Sequence, residues 1–285
     1  MGAYWYDERG RYGTGEDYDW FWKYADDEEV EIRASQDELW VYAVLENGIE
    51  LLRYDGDEVH ITVPDKVDGL PVVALCSTFD GFYELKSVVV PEGVTDIEGA
   101  FYGCEGLEKV TLPKTLVNLD HAFECCYSLK ELEVWEGVES FEYAFQGTKI
   151  EHFTFPKGTL NIAYAFEGAY CLKSVYIPCS VESTYEAFNE CESLETVVIE
   201  EGVQKLEDWT FFNCPSLKEL TIPQSVTEFG ELSVGYMEIR EFMDERKLAY
   251  RIKGKQIVPG FKIKGVSGSA AEKYAREHEI EFVAI

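Results

Sequence analysis

The chain has 285 residues, 46% of them hydrophobic and 14% aromatic, which is far more core material than a disordered chain carries. Its formal charge is −30, from 55 acidic against 25 basic residues, so a nucleic acid or an anionic membrane surface would have to bind against the field of the whole molecule. No run approaches the ~18 apolar residues of a membrane-spanning helix, and the first ~15 residues are polar and aromatic where an export signal would be apolar. The predicted chain therefore has no membrane insertion, no nucleic-acid partner and no export signal of its own.

Residues 1–38 form an acidic extension rich in Trp and Tyr, and no motif in it points to a role. Residues 39–84 read as a lead-in segment and a first, imperfect repeat, in which Val63-Pro64 is followed by Phe79. Regular repetition begins at Leu85. The stretches LKSVVVPEGVTDIEGAFYGCEG, LEKVTLPKTLVNLDHAFECCYS and LKSVYIPCSVESTYEAFNECES start at Leu85, Leu107 and Leu172, and the frame restarts at Leu129, Ile150, Leu194 and Leu217.

Each unit has the form L-x-x-V-x-hydrophobic-P and closes on A-F-x-x-C, with a period of about 22 residues that runs to residue 237. The first, fourth and sixth positions are apolar, so they face inward from a short strand while the third and fifth face outward. Proline at the seventh position cannot donate to a ladder and ends the strand, as at Pro91, Pro113, Pro156, Pro178 and Pro223; Trp135 and Glu200 replace it in two units.

The pairs Ala100-Phe101, Ala122-Phe123, Ala144-Phe145, Ala165-Phe166 and Ala187-Phe188 recur at one position and predict a stacked aromatic core. Residues 238–285 form a capping segment. There Ser269 and Glu272 have capping-box spacing, which predicts a helix from Ala270 to about Glu277. This end is locally basic, with Arg240, Arg251, Lys253 and Lys255 among its cations.

The predicted fold is a leucine-rich-repeat solenoid: stacked ~22-residue units with a parallel β-sheet on the concave face and short turns or helical segments opposite. A hairpin-like lead-in and a short helical cap complete it. From about Leu39 to Ile285 the repeats, the segment GIELLRYDGDEVHITVPDKVDGLPV and the ending IKGVSGSAAEKYAREHEIEFVAI resemble the BspA-type leucine-rich repeats of bacteria. That resemblance implies protein binding and, if the natural protein carries an export signal outside this sequence, a cell-surface or secreted adhesion role.

Cys104, Cys126, Cys191 and Cys214 hold one repeat position and predict a ladder of small buried thiols. Rungs lie ~4.8 Å apart, so Cys104 with Cys126 and Cys191 with Cys214 are the pairs oxidation would join in an exported protein. Cys179, just after a strand-ending proline, is the cysteine expected at the surface. No C-x-x-C, H-E-x-x-H or G-x-S-x-G occurs, and no acidic stretch has calcium-loop spacing, so no catalytic residue, metal or cofactor is predicted.

The outward strand positions are mostly small, except near the middle, where Glu131, Glu133, Trp135, His152 and Tyr176 set carboxylates and an imidazole beside large rings. That is the composition of a protein-binding hot spot, and these five residues are the predicted partner site. Tyr143, Tyr164 and Tyr185, with His121, form a second stripe that reads as flank packing. The predicted function is a non-catalytic protein–protein interaction module. Its alternatives are an intracellular scaffold or regulatory protein and a glycan-binding module on the aromatic stripes.

Overall fold

The computed structural model describes residues 5–6, 12–13, 30–243 and 250–285. The chain divides into two compact units, Met1–Ile150 and Glu151–Ile285.

In the first unit, after a short antiparallel pair Trp5–Tyr6 with Tyr12–Gly13, comes a five-stranded sheet in the order Glu31–Ala34, Trp40–Leu45, Gly48–Tyr54, Leu70–Leu75, Lys66–Val67. Three hairpins build it, the first pairing Glu31–Ala34 antiparallel with Trp40–Leu45. Trp40–Leu45 pairs antiparallel with Gly48–Tyr54, and Lys66–Val67 with Leu70–Leu75, while Gly48–Tyr54 and Leu70–Leu75 run parallel. Asp68 and Gly69, at φ 52° and 84°, make the turn between Lys66–Val67 and Leu70–Leu75, and its two positive φ angles suit the native twist of the strands it joins. The lead-in is thus hairpin-like, although residues 48–72 fold as a parallel pair with one small hairpin inside it.

The repeats then stack as the alternation dictates. His60–Thr62, Ser87–Val89 and Lys109–Thr111 form a parallel sheet in register, His60 beside Ser87 beside Lys109. Leu85, Val88 and Val90 are buried and Val89 is exposed, as an inward first, fourth and sixth position requires. The Leu129 unit departs from this pattern, because Glu131–Val134 forms no ladder strand. Leu132 and Val134 are only half-buried there, so the inward burial that pins strand register in the other units is weak at this turn.

Opposite the sheet the chain runs in turns rather than helices; among the described residues the repeats contain no α-helix. The amides of Phe79, Phe101 and Phe123 each donate to the alanine carbonyl of the next unit at 2.9–3.1 Å. Their rings stack nearly parallel, Phe79 on Phe101 and Phe101 on Phe123 at 5.4 Å, then Phe123 on Phe145 at 6.0 Å. The residue ahead of each Ala-Phe pair is left-handed, as at His121 (φ 56°) and Tyr143 (φ 54°).

The second unit repeats the plan. His152–Thr154, Ser174–Ile177 and Thr196–Ile199 form a parallel sheet, and Phe166, Phe188 and Phe211 stack at 6.2 and 5.3 Å. Glu219–Thr221 then pairs with Lys262–Gly265, and that strand with Glu281–Ala284. The partner of Glu219 therefore lies about two repeat lengths on, because an antiparallel hairpin, Tyr236–Phe242 with Tyr250–Ile257, is inserted between them. The helix Ala270–Glu277 closes the end with Ala271, Tyr274 and Ala275 buried. Ser269 Oγ accepts the Glu272 amide at 3.4 Å, and the Glu272 carboxylate reaches back to the Gly268 amide, one residue beyond the usual capping-box contact.

Candidate functional site

The two missing prolines position most of the predicted partner site. In the first unit Trp135 stands where proline would end the strand, and its indole Nε1 donates to the Leu112 carbonyl at 3.3 Å. Lys114 Nζ lies 4.6 Å from the ring centroid, a cation–π contact that fixes the indole plane against the preceding repeat. Trp135 is half-buried in consequence. Glu131 and Glu133 are exposed and have no hydrogen-bond or ion-pair partner among the described residues, so the outer side of this turn presents two uncompensated carboxylates beside an anchored ring.

In the second unit His152 and Tyr176 lie on neighbouring strands, Tyr176 opposite Thr154. The exposed His152 ring joins Ser174 Oγ through Nδ1 at 2.7 Å. Tyr176 is half-buried; partial burial and its hydrogen bond to the Glu200 carboxylate raise its phenol above the ordinary value. Glu200, the other proline replacement, accepts the Cys179 amide at 2.8 Å, and this bond, with help from the Cys179 thiol, lowers its carboxyl. Cys179 is exposed, as its place after Pro178 predicts, and its hydrogen bond to Glu200 raises its thiol. The arrangement offers hydrogen bonding and charge.

Cys104, Cys126, Cys191 and Cys214 are fully buried. Each Sγ donates at 3.1 Å to a phenylalanine carbonyl of the preceding unit, Phe79, Phe101, Phe166 and Phe188 in turn. All eight cysteines are free thiols, so neither ladder pair is bridged. Burial pushes the four ladder thiols up, which makes them poor nucleophiles and poor ligands.

The second aromatic stripe is packed ring against ring: His121 stacks on Tyr143 at 4.7 Å in the first unit, and Tyr164 meets Tyr185 edge to face at 5.3 Å in the second. Tyr185 sits one residue earlier in its repeat than the others, since Glu186 there takes the left-handed position. A cleft of about 470 Å³ beside the lead-in sheet is walled by Asp37, Asp57, Glu58, Lys66 and Asp68. Two of its carboxylates serve local turns, Asp37 bonding Ser35 and the Leu39 amide, and Asp68 bonding Tyr42 and the Gln36 amide.

Repeat length, parallel register and the A-F-x-x-C turn agree with a sequence profile of the BspA-type leucine-rich repeat region, which matches residues 75–163 and 162–242 in six copies. This chain belongs to the BspA-type leucine-rich repeat family. Among solved structures, this BspA-type chain is similar to a leucine-rich repeat protein of T. pallidum, with 28% identity and a TM-score of 0.50 over 70% of this chain and 86% of that one. A leucine-rich repeat protein of Bacteroides ovatus shares the fold at 19% identity and a TM-score of 0.56, covering 84% of this chain and 70% of that one. No curated protein matches significantly.

Among the described residues of this BspA-type chain, no group of three or more His, Cys, Asp or Glu could hold a metal ion, and no helix is long and apolar enough to cross a membrane. Two features escape a repeat-by-repeat reading of the sequence. The Glu200–Cys179–Tyr176 contact was signalled only by the glutamate in a proline position. The inserted hairpin was signalled by the basic run after residue 240.

Proposed function

We propose that this chain is a non-catalytic protein-interaction module and that it holds a protein partner on the outward side of its repeats. The observation that carries the reading is the pair Glu131 and Glu133, exposed and without internal compensation, beside the anchored Trp135 ring. An aromatic anchor with charges around it is the usual make-up of an interface hot spot. A partner with a basic patch suits this surface, since opposite charge speeds encounter and selects against acidic competitors. His152 and Tyr176 extend the same chemistry to the second unit's own sheet. In an exported protein, as the family resemblance suggests, the partner is a host or matrix protein and the role is adhesion.

The test is a quantitative pull-down with the purified chain and its Glu131→Ala/Glu133→Ala/Trp135→Ala variant, run against extracellular-matrix proteins and against lysate of the source cells. Capture of a matrix protein by the parent and its loss, by tenfold or more, in the variant supports adhesion through this surface. Equal capture by both forms removes this surface from consideration. A second reading, an intracellular scaffold, is favoured by the eight unbridged thiols; capture from lysate alone selects it.

A further inference from the structure

The inserted hairpin is unlike the rest of the molecule. Its neck is closed by the Val258 amide donating to the Gly235 carbonyl at 2.8 Å, and one face is latched to the flank of the repeats. Arg240 Nη2 reaches Glu190 at 2.6 Å, its Nε reaches Glu238 at 2.9 Å, and its guanidinium lies 4.6 Å from the Tyr250 ring centroid. Lys255 Nζ lies over Trp209 and Phe212 at 5.2 and 5.5 Å. The ribbon is therefore held in a fixed place although it has only two strands, an arrangement that is marginal on its own.

What the latch leaves open is the second strand. Tyr250–Ile257 carries Arg251, Lys253 and Lys255 and no carboxylate, in a chain whose formal charge is −30. Lys253 pairs with Glu241 across the ribbon at 2.7 Å, while Arg251 has no ion-pair partner among the described residues. Ile252 is 53% exposed. Among the described residues no strand pairs with the outer edge of Tyr250–Ile257, so its main-chain donors and acceptors on that side are open to a partner, in a row interrupted at Lys253, where the register shifts between Ile252 and Gly254.

We propose that this edge takes an extended acidic segment of a protein partner as a third strand. Main-chain hydrogen bonds to the free edge supply affinity, and acidic side chains alternating with apolar ones meet Arg251, Lys253 and the exposed Ile252. A second copy of this chain fits poorly, because edge-to-edge pairing of two such strands brings Arg251 and Lys253 against their own counterparts. An anionic membrane surface fits poorly as well, because the charge of the whole molecule opposes approach to an extended negative plane, whereas a short peptide meets mainly the local cations within a Debye length of ~8 Å. This edge belongs to the second unit and is opposite in charge to the Glu131–Trp135 surface of the first.

The experiment uses the full chain and three fluorescent synthetic octapeptides, alternating Glu-Val, Lys-Val and Glu-Pro, read by anisotropy. The Glu-Pro peptide keeps the charge but loses every second N–H, and its prolines lock φ near −65°, away from the roughly −140° of an antiparallel ladder strand. The variant is Arg251→Glu/Lys253→Glu, which leaves the latching Arg240 and Lys255 in place, and an unchanged melting temperature shows that it folds. The expected result is saturable binding of the Glu-Val peptide, at least tenfold weaker binding of the other two, and a tenfold or greater loss in the variant. Failure of the Glu-Val peptide to bind, equal binding of Glu-Val and Glu-Pro, or no loss in the variant would overturn the proposal. Cosedimentation with 3:1 phosphatidylcholine–phosphatidylserine vesicles that depends on Arg251 and Lys253, with no peptide binding, would overturn it in favour of a lipid surface.

Discussion

Phe123→Ala is the sharpest test of how the repeats hold together. Phe123 is fully buried in the first unit, with Phe101 at 5.4 Å on one side and Phe145 at 6.0 Å on the other. Truncating a buried phenylalanine costs about 3–5 kcal/mol through lost transfer energy and the cavity left behind. Two ring contacts are lost as well, each worth roughly 0.5–1.5 kcal/mol, although part of that already lies within the first figure. A total near 5 kcal/mol is expected, a large share of the ~5–15 kcal/mol that holds an ordinary domain folded. Urea denaturation followed by tryptophan fluorescence and by far-ultraviolet circular dichroism reads it, and Phe123→Leu, which refills most of the space, should lose only about 1.5 kcal/mol. A loss under about 2 kcal/mol for the alanine variant, or equal losses for both, would refute the continuous aromatic stack as the main support of this unit.

Further outcomes follow from the cap, the thiols and the neck of the hairpin. Ser269→Ala removes the acceptor of the Glu272 amide and should cost about 1 kcal/mol, seen as faster amide exchange over Ala270–Glu277. The ladder thiols have raised folded values, so the unfolded state gives up those protons first. Their contribution is intact below about pH 9 and falls above it by about 1.4 kcal/mol per pH unit for each thiol, measurable as a falling urea midpoint that Cys126→Ala makes shallower. In the native protein a bulky maleimide should label Cys179 quickly and Cys104, Cys126, Cys191 and Cys214 only on unfolding; labelling at a common rate would contradict the ladder. Gly235→Ala should lose about 2 kcal/mol or more in a thermal melt, since φ there is 79° and the added Cβ would lie 2.5 Å from Phe261 Cδ1.

How much of this was legible in the sequence depends on how local the cause was. Period, inward positions, the Ala-Phe stack and the Ser269 cap are set by residues within one repeat or one turn, and each leaves a spacing that can be read. The absence of a ladder strand at Glu131–Val134 follows from the partial exposure of Leu132 and Val134, a property of how that turn packs that the letters L and V do not carry. The hairpin was hidden because two strands of ordinary composition, inserted in a repeat, resemble a looser repeat; its basic run was visible, but the antiparallel pairing of Glu241 with Arg251 was not. For the candidate site, the proline replacements at Trp135 and Glu200 were visible. Their hydrogen bonds to Leu112 and Cys179 depend on neighbouring repeats being in register.

In the proposed mode of action a protein partner is held on the outward side of the repeats, around Glu131, Glu133 and Trp135. Hydrogen exchange read by mass spectrometry on the chain alone, and on the chain saturated with the protein it captures, tests that claim most directly. Protection concentrated on Lys109–Thr111 and on residues 131–135, lost with Glu131→Gln/Glu133→Gln at unchanged thermal stability, is the predicted result. Protection elsewhere, with residues 131–135 exchanging as in the free chain, would contradict it.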